Sequence, residues 1–139
     1  MSVDSGHRNE PNRGFEKASL KLLRHTVDVT SNEKVFPPKY DKIITLEIIQ
    51  NAKQIYLDVI ESNDIKVKYA GDGEAKHRLE LQEDALRVCK DLIRNITLAK
   101  VIVHLSTRKS GYWIHLVNDA YEIIDKWHKS DIKRYKSLI

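Results

Sequence analysis

Cysteine occurs once in these 139 residues, proline three times and glycine five times. The single thiol, Cys89, excludes an intramolecular disulfide. Its flanks, Arg-Val-Cys-Lys-Asp-Leu, match no metal or redox spacing, so a buried structural cysteine in a reducing compartment is expected. So little glycine and proline argues against a turn-dense β protein and suits long helices. No apolar run approaches the ~20 residues a membrane span needs, and Met1 is not followed by a hydrophobic signal segment, which points to a cytoplasmic protein with no membrane partner. Gly-rich phosphate loops, nucleophile elbows and paired-carboxylate motifs are missing too. None of the six histidines stands with a cysteine or carboxylate at ligand spacing on a clear face, so neither a metal nor another cofactor is expected.

What the chain does have is charge, 32% of residues, and apolar residues, 41%, arranged with helical period. The length suits one domain. Residues 1–14 carry one aliphatic side chain beyond Met1 and read as a disordered leader. From Phe15, the residues Ala18, Leu22, Leu23, Val27 and Val29 predict a first helix over 15–31, stopped by Ser31-Asn32 and the pair Pro37-Pro38. Ile44, Ile48, Ala52, Ile55 and Val59 mark one face of a second helix that starts just after the prolines and ends near Asn63, and the stretch 65–73 with its Gly-Asp-Gly turn reads as a loop. Leu79, Leu86, Cys89, Ile93, Ile96 and Val103 predict a third helix over 74–105, with Glu74 well placed in its first turn. After a connection at 106–111, Trp113, Leu116, Val117, Ala120, Ile123, Ile124 and Trp127 predict a fourth. The apolar register slips after Ser130, so 130–139 reads as a basic tail. The expected architecture is all-α, an up-and-down four-helix bundle over 15–129.

The net charge of +4 is distributed unevenly. Residues 76–109 hold 8 Lys/Arg against 4 Asp/Glu and residues 126–139 hold 5 against 1, whereas 110–125 hold 0 against 3. At about 100° per residue, Arg87, Lys90 and Arg94 project together opposite the core stripe of the third helix. With Arg108, Lys109 and the C-terminal Lys126, Lys129, Lys133, Arg134 and Lys136 they are the candidate contacts to a polyanion, RNA or DNA, whose phosphates release counterions to clustered cations. A solvated charged face is the plainer reading of such a row. Further along the same stripe come Leu98, Val101 and Leu105, and Ile43, Leu46 and Leu57 lie off the main face of the second helix. Apolar residues so placed predict an interface within a homo-oligomer or with an obligate partner, the alternative being cover from the first helix or the 65–73 loop.

Candidate chemistry is sparse. Arg108 and His115, with six residues between them, fit the loose Arg-x4-6-His pattern of HEPN ribonucleases, which are helical bundles, although Lys109 stands where those proteins usually have a polar residue. His104 and His115 otherwise read as rim or core histidines.

The layout also resembles a known family. Phe36-Pro37-Pro38-Lys39-Tyr40 precedes the second helix, Ile60-Glu61-Ser62-Asn63 ends it, Leu86-Arg87 and Leu92-Ile93-Arg94 mark the third, and Glu122-Ile123-Ile124-Asp125-Lys126-Trp127 closes the fourth. Over about residues 17–129 this is similar to the accessory variability determinant (Avd) proteins of diversity-generating retroelements, which are related to the four-helix bundles encoded by 23S rRNA intervening sequences. The latter carry Asn-Ile-Ala-Glu-Gly in the second helix where this chain has Ile-Ile-Gln-Asn-Ala-Lys-Gln-Ile-Tyr, which favours the retroelement branch. The resemblance implies a non-enzymatic, barrel-like homopentamer that binds a reverse transcriptase and nucleic acid, the template RNA. A structural bundle of the intervening-sequence type is the alternative.

Overall fold

The apolar stripe Ile44, Ile48, Ala52, Ile55 and Val59 is fully buried, and around it four helices assemble. The computed structural model describes residues 2–68 and 73–139, with side chains from Gly14 onward. Helix α1 spans Ser2–Ser31, α2 Leu46–Asp64, α3 Glu74–Ile102 and α4 Thr107–Arg134. Each helix packs on its two sequence neighbours in a closed ring, α1 meeting α4. Contacts between opposite ends of consecutive helices make the bundle up-and-down: Asn63 reaches Glu16, Asn95 reaches Glu47 and Asn51, and Arg78 reaches Asp131. The expected all-α four-helix bundle is what the chain forms. The leader assigned to 1–14 lies, Gly14 apart, outside the described side chains, as do residues 69–72 of the Gly-Asp-Gly turn.

Helix α1 starts at Ser2 where a start at Phe15 was expected, and four further boundaries differ, each for a local reason. The prolines open not α2 but a 3-10 turn, Pro38–Tyr40, followed by a π-helical turn, Asp41–Thr45, that runs into α2. Helix α3 stops at Ile102, and His104 adopts a left-handed φ of 58°. That reversal turns Leu105 inward, where it is 5% exposed, so Leu105 belongs to the core and not to the outer apolar stripe. Ser106, with extended backbone, accepts a hydrogen bond from the Lys109 amide and starts α4 at Thr107, so the expected 106–111 connection is mostly helix. At the other end α4 continues through Ser130 to Arg134, and the bundle therefore extends past 129.

Helix α1 buries an unexpected face. Phe15, Ser19, Leu22, Thr26 and Thr30 point inward, while Val27 is 44% exposed. The Ser19, Thr26 and Thr30 hydroxyls each donate to the carbonyl four residues earlier at 2.7–2.8 Å, which satisfies them inside the core. Trp113 fills the centre, its Nε1–H donating to Thr26 Oγ1 at 3.0 Å and its ring meeting Phe36 edge-on. Cys89 is sealed within α3, and burial pushes its thiol pKa up to about 12, as suits a structural cysteine.

Candidate nucleic-acid surface and a buried polar end

Ten cations were expected to meet nucleic acid, and the structure divides them. On α3, Arg87 donates to Asp84 and to Asp91 Oδ2 at 2.9 Å, and Arg94 donates to Asp91 Oδ1 at 3.0 Å. Lys90 leans over the Tyr121 ring of α4, 5.6 Å from its centroid. All three are exposed, but Asp84 and Asp91 interleave them and cancel much of the stripe's field. On α4, Lys129 pairs with Asp125 at 2.8 Å, and Arg134 lies 3.9 Å from Asp131. Arg108 and Lys109 stand exposed in the first turn of α4. His115 faces Asp119 at 3.3 Å, two turns beyond Arg108.

Among the described residues, Lys126, Lys133 and Lys136 have no carboxylate within 4.0 Å, and neither do three cations that sequence reasoning passed over, Lys17, Lys21 and Arg24. These three recur at i, i+4 and i+7 on the outer side of α1 and line a groove of ≈450 Å³ against Tyr112 and Leu116 of α4. His25 and Asp28 complete its wall. His25 meets Tyr112 edge-on, and burial, with a smaller contribution from Lys109, holds its imidazole pKa below the usual value against the opposing pull of Asp28. Tyr112 is half exposed beside these cations, an arrangement suited to a phosphate backbone with an adjacent base. The signal was present in the sequence as Lys-x3-Lys-x2-Arg, but the segment's overall charge of 7 against 5 masked it.

At the opposite end of α4 the core turns polar. Arg78, 8% exposed at its side chain, donates from Nε to Asp131 Oδ2 at 2.7 Å and from Nη1 to the carbonyls of Ser62 and Ile65. Gln82 Nε2 donates to the same carboxylate oxygen at 2.7 Å and to Ser62 Oγ at 3.2 Å, while Ser62 Oγ–H donates to the Arg78 carbonyl. Gln82 Oε1 is thereby left to accept from His128 Nδ1–H at 2.8 Å, which sets the histidine tautomer. Above this network opens a cleft of ≈820 Å³ walled by Lys66, Lys126, Trp127, Arg134 and Tyr135.

No family model, curated protein or solved structure matches this chain. Its reading therefore stands on geometry. Two basic regions lie along α1 and α4, a charge-compensated row lies on α3, and at the far end of α2 and α3 Ile43, Leu46, Leu98 and Val101 are 60, 56, 44 and 71% exposed. Among the described residues no three His, Cys, Asp or Glu side chains are placed to hold a metal ion, and no helix is long and apolar enough to cross a membrane.

Proposed function

We propose that this protein is a non-enzymatic nucleic-acid-binding accessory protein that acts as a homo-oligomer, in the manner the Avd resemblance implies, with template RNA and a reverse transcriptase as its partners. The observation that carries the reading is the set of cations along α1 and α4 that, among the described residues, have no carboxylate within 4.0 Å: Lys17, Lys21 and Arg24 on α1, Arg108, Lys109, Lys126 and Lys133 on α4, and Lys136 just beyond it. Clustered free cations gain affinity by counterion release, and cations already paired with Asp84 and Asp91 gain less. The working surface is accordingly assigned to the α1–α4 side, with Arg87 and Arg94 contributing little.

Neutralising Lys17, Lys21 and Arg24 to Gln is expected to weaken single-stranded RNA binding more than tenfold and to lower the log–log salt slope by about 2, from ~0.7 per phosphate contact. Arg87→Gln with Arg94→Gln should lower it by under 1. Fluorescence anisotropy across a salt series measures both, and a triple variant with unchanged affinity and slope defeats the assignment.

The exposed Leu98 and Val101, with Ile43 and Leu46, are proposed as the subunit contact, since apolar side chains so exposed commonly mark an interface. Light scattering at tens of micromolar is expected to give an oligomer for the wild type and a monomer for Leu98→Glu/Val101→Glu. A wild-type monomer rejects this contact.

A further inference from the structure

The cleft at the C-terminal end of α4 has a built floor. Arg78 spends Nε and Nη1 on Asp131, Ser62 and Ile65, while its Nη2 has no protein acceptor among the described residues. Arg78 lines the cleft although its side chain is only 8% exposed, and Nη2 is the guanidinium nitrogen left with hydrogen-bonding capacity for a ligand there. Lys66, Lys126 and Arg134 stand around the rim, and all three are exposed. Against these four cations the one carboxylate that the described residues bring to the wall is Asp131, whose Oδ2 accepts from Arg78 and Gln82 and whose Oδ1 lies 3.9 Å from Arg134. A centre with so large an excess of positive charge favours a ligand bearing more than one negative charge at a single atom cluster, as a phosphate monoester does.

Size and shape narrow the class further. A volume of ≈820 Å³ lies in the range of sites that hold drug-sized molecules, ~300–1,000 Å³, and far exceeds what inorganic phosphate fills. Planar groups flank the cations. The Arg134 and Arg78 guanidinium carbons lie 5.8 and 6.0 Å from the Tyr135 ring centroid, and Trp127 forms part of the wall. Stacked rings and guanidinium planes receive a nucleobase without regard to its identity. The floor is closed by the Arg78–Asp131–Gln82–Ser62 network, so a ligand enters from the open side and the group that reaches deepest is the one that meets Arg78.

We propose that this cleft binds a nucleoside phosphate monoester, with the phosphate on Arg78 Nη2, Lys126 and Arg134 and the base against Tyr135. The same chemistry is offered by the 5′-phosphorylated end of a single strand and by a free mononucleotide. The polymer form rests on the nucleic-acid reading above, whereas the mononucleotide form stands without it.

The test compares a 5′-phosphorylated and a 5′-hydroxyl RNA octamer of one sequence by anisotropy on the full chain, with AMP as direct ligand and competitor. A terminal-phosphate site gives at least tenfold tighter binding of the phosphorylated octamer. A ratio near one with AMP bound at the cleft identifies the free nucleotide as the source. In either case Lys126→Gln/Arg134→Gln, both exposed positions, abolishes the preference or the AMP binding. Lys133→Gln/Lys136→Gln, outside the cleft wall, weakens both octamers alike and leaves their ratio unchanged. Equal octamer affinities together with no AMP binding overturn the proposal, even where salt-dependent RNA binding persists and the wider nucleic-acid reading stands.

Discussion

Asp131→Ala is expected to destabilise the protein by about 3–5 kcal/mol, because it leaves the Arg78 guanidinium buried without its counter-charge. Gln82 loses its shortest acceptor in the same step, and the His128–Gln82 bond loses the group that orients it. The cost comes from the stranded charge and not from any large net worth of the pair. Replacing both partners, Arg78→Met with Asp131→Leu, should therefore recover part of that loss, with about 1–3 kcal/mol remaining because the Ser62 and Ile65 carbonyls and the Gln82 amide lose their partners. Urea denaturation at pH 7 measures all three proteins. A single-variant loss below 1 kcal/mol means that the network does not hold this end of the bundle together.

The second large effect depends on pH and belongs to Asp58. Its side chain is buried between α2 and α3, Oδ1 accepting from Gln54 Nε2 at 2.7 Å and Oδ2 meeting no donor among the described residues. Burial, and after it the hydrogen bond with the Asp84 carboxyl, push the Asp58 pKa up to about 8, while that same bond holds Asp84 below the usual carboxylate range. A proton on Asp58 Oδ2 supplies the missing donor, and the Asp84 carboxylate accepts it. The unfolded chain binds this proton only below about pH 4. The folded state holds the extra proton between about 4 and 8, so stability is full below that window and falls as pH rises through it, at up to about 1.4 kcal/mol per unit. Asp84 acts in the opposite sense, but only below about pH 4, where its lowered pKa makes stability fall as pH falls.

Asp58→Asn keeps a donor and an acceptor at these positions without an ionisable proton. Its unfolding free energy should be nearly flat from pH 5 to pH 9, and at pH 9 it should exceed wild type by about 2 kcal/mol or more. Denaturation curves at pH 5, 7 and 9 check this, and parallel curves for the two proteins refute the shared proton.

Apolar periodicity revealed most of the architecture. The faces of α2 and α4 are buried almost residue for residue, Ile123 being the partial exception. It was silent wherever the core is polar. Arg78, Gln82, His128 and Asp131 occupy inward positions at the same 3 and 4 spacing as the leucines and tryptophans, so the helix continues where the hydrophobic pattern ends. A reading that equates core with apolar must stop at Ser130. The same blindness hid the Ser19–Thr26–Thr30 face of α1. On the surface, spacing located Arg87 and Arg94 correctly but weighed cations without the carboxylates one turn away, so the stripe on α3 looked more basic than it is. The free cations of α1 escaped because acids elsewhere in the segment offset them in the sum.

The hydroxyls of α1 have a mechanical meaning as well. Each spends its proton on a carbonyl of its own helix, so the helix brings almost no unmet polar demand to its seat. What sets its height against α4 is the Trp113 indole N–H on Thr26, with Phe15 stacked 3.7 Å from Trp127 a little over three turns away. Two indoles on one rod thus act as dowels for the other. Lys17, Lys21 and Arg24 lie between them, so the spacing of those charges relative to Tyr112 is fixed by the same two pins that align the helices.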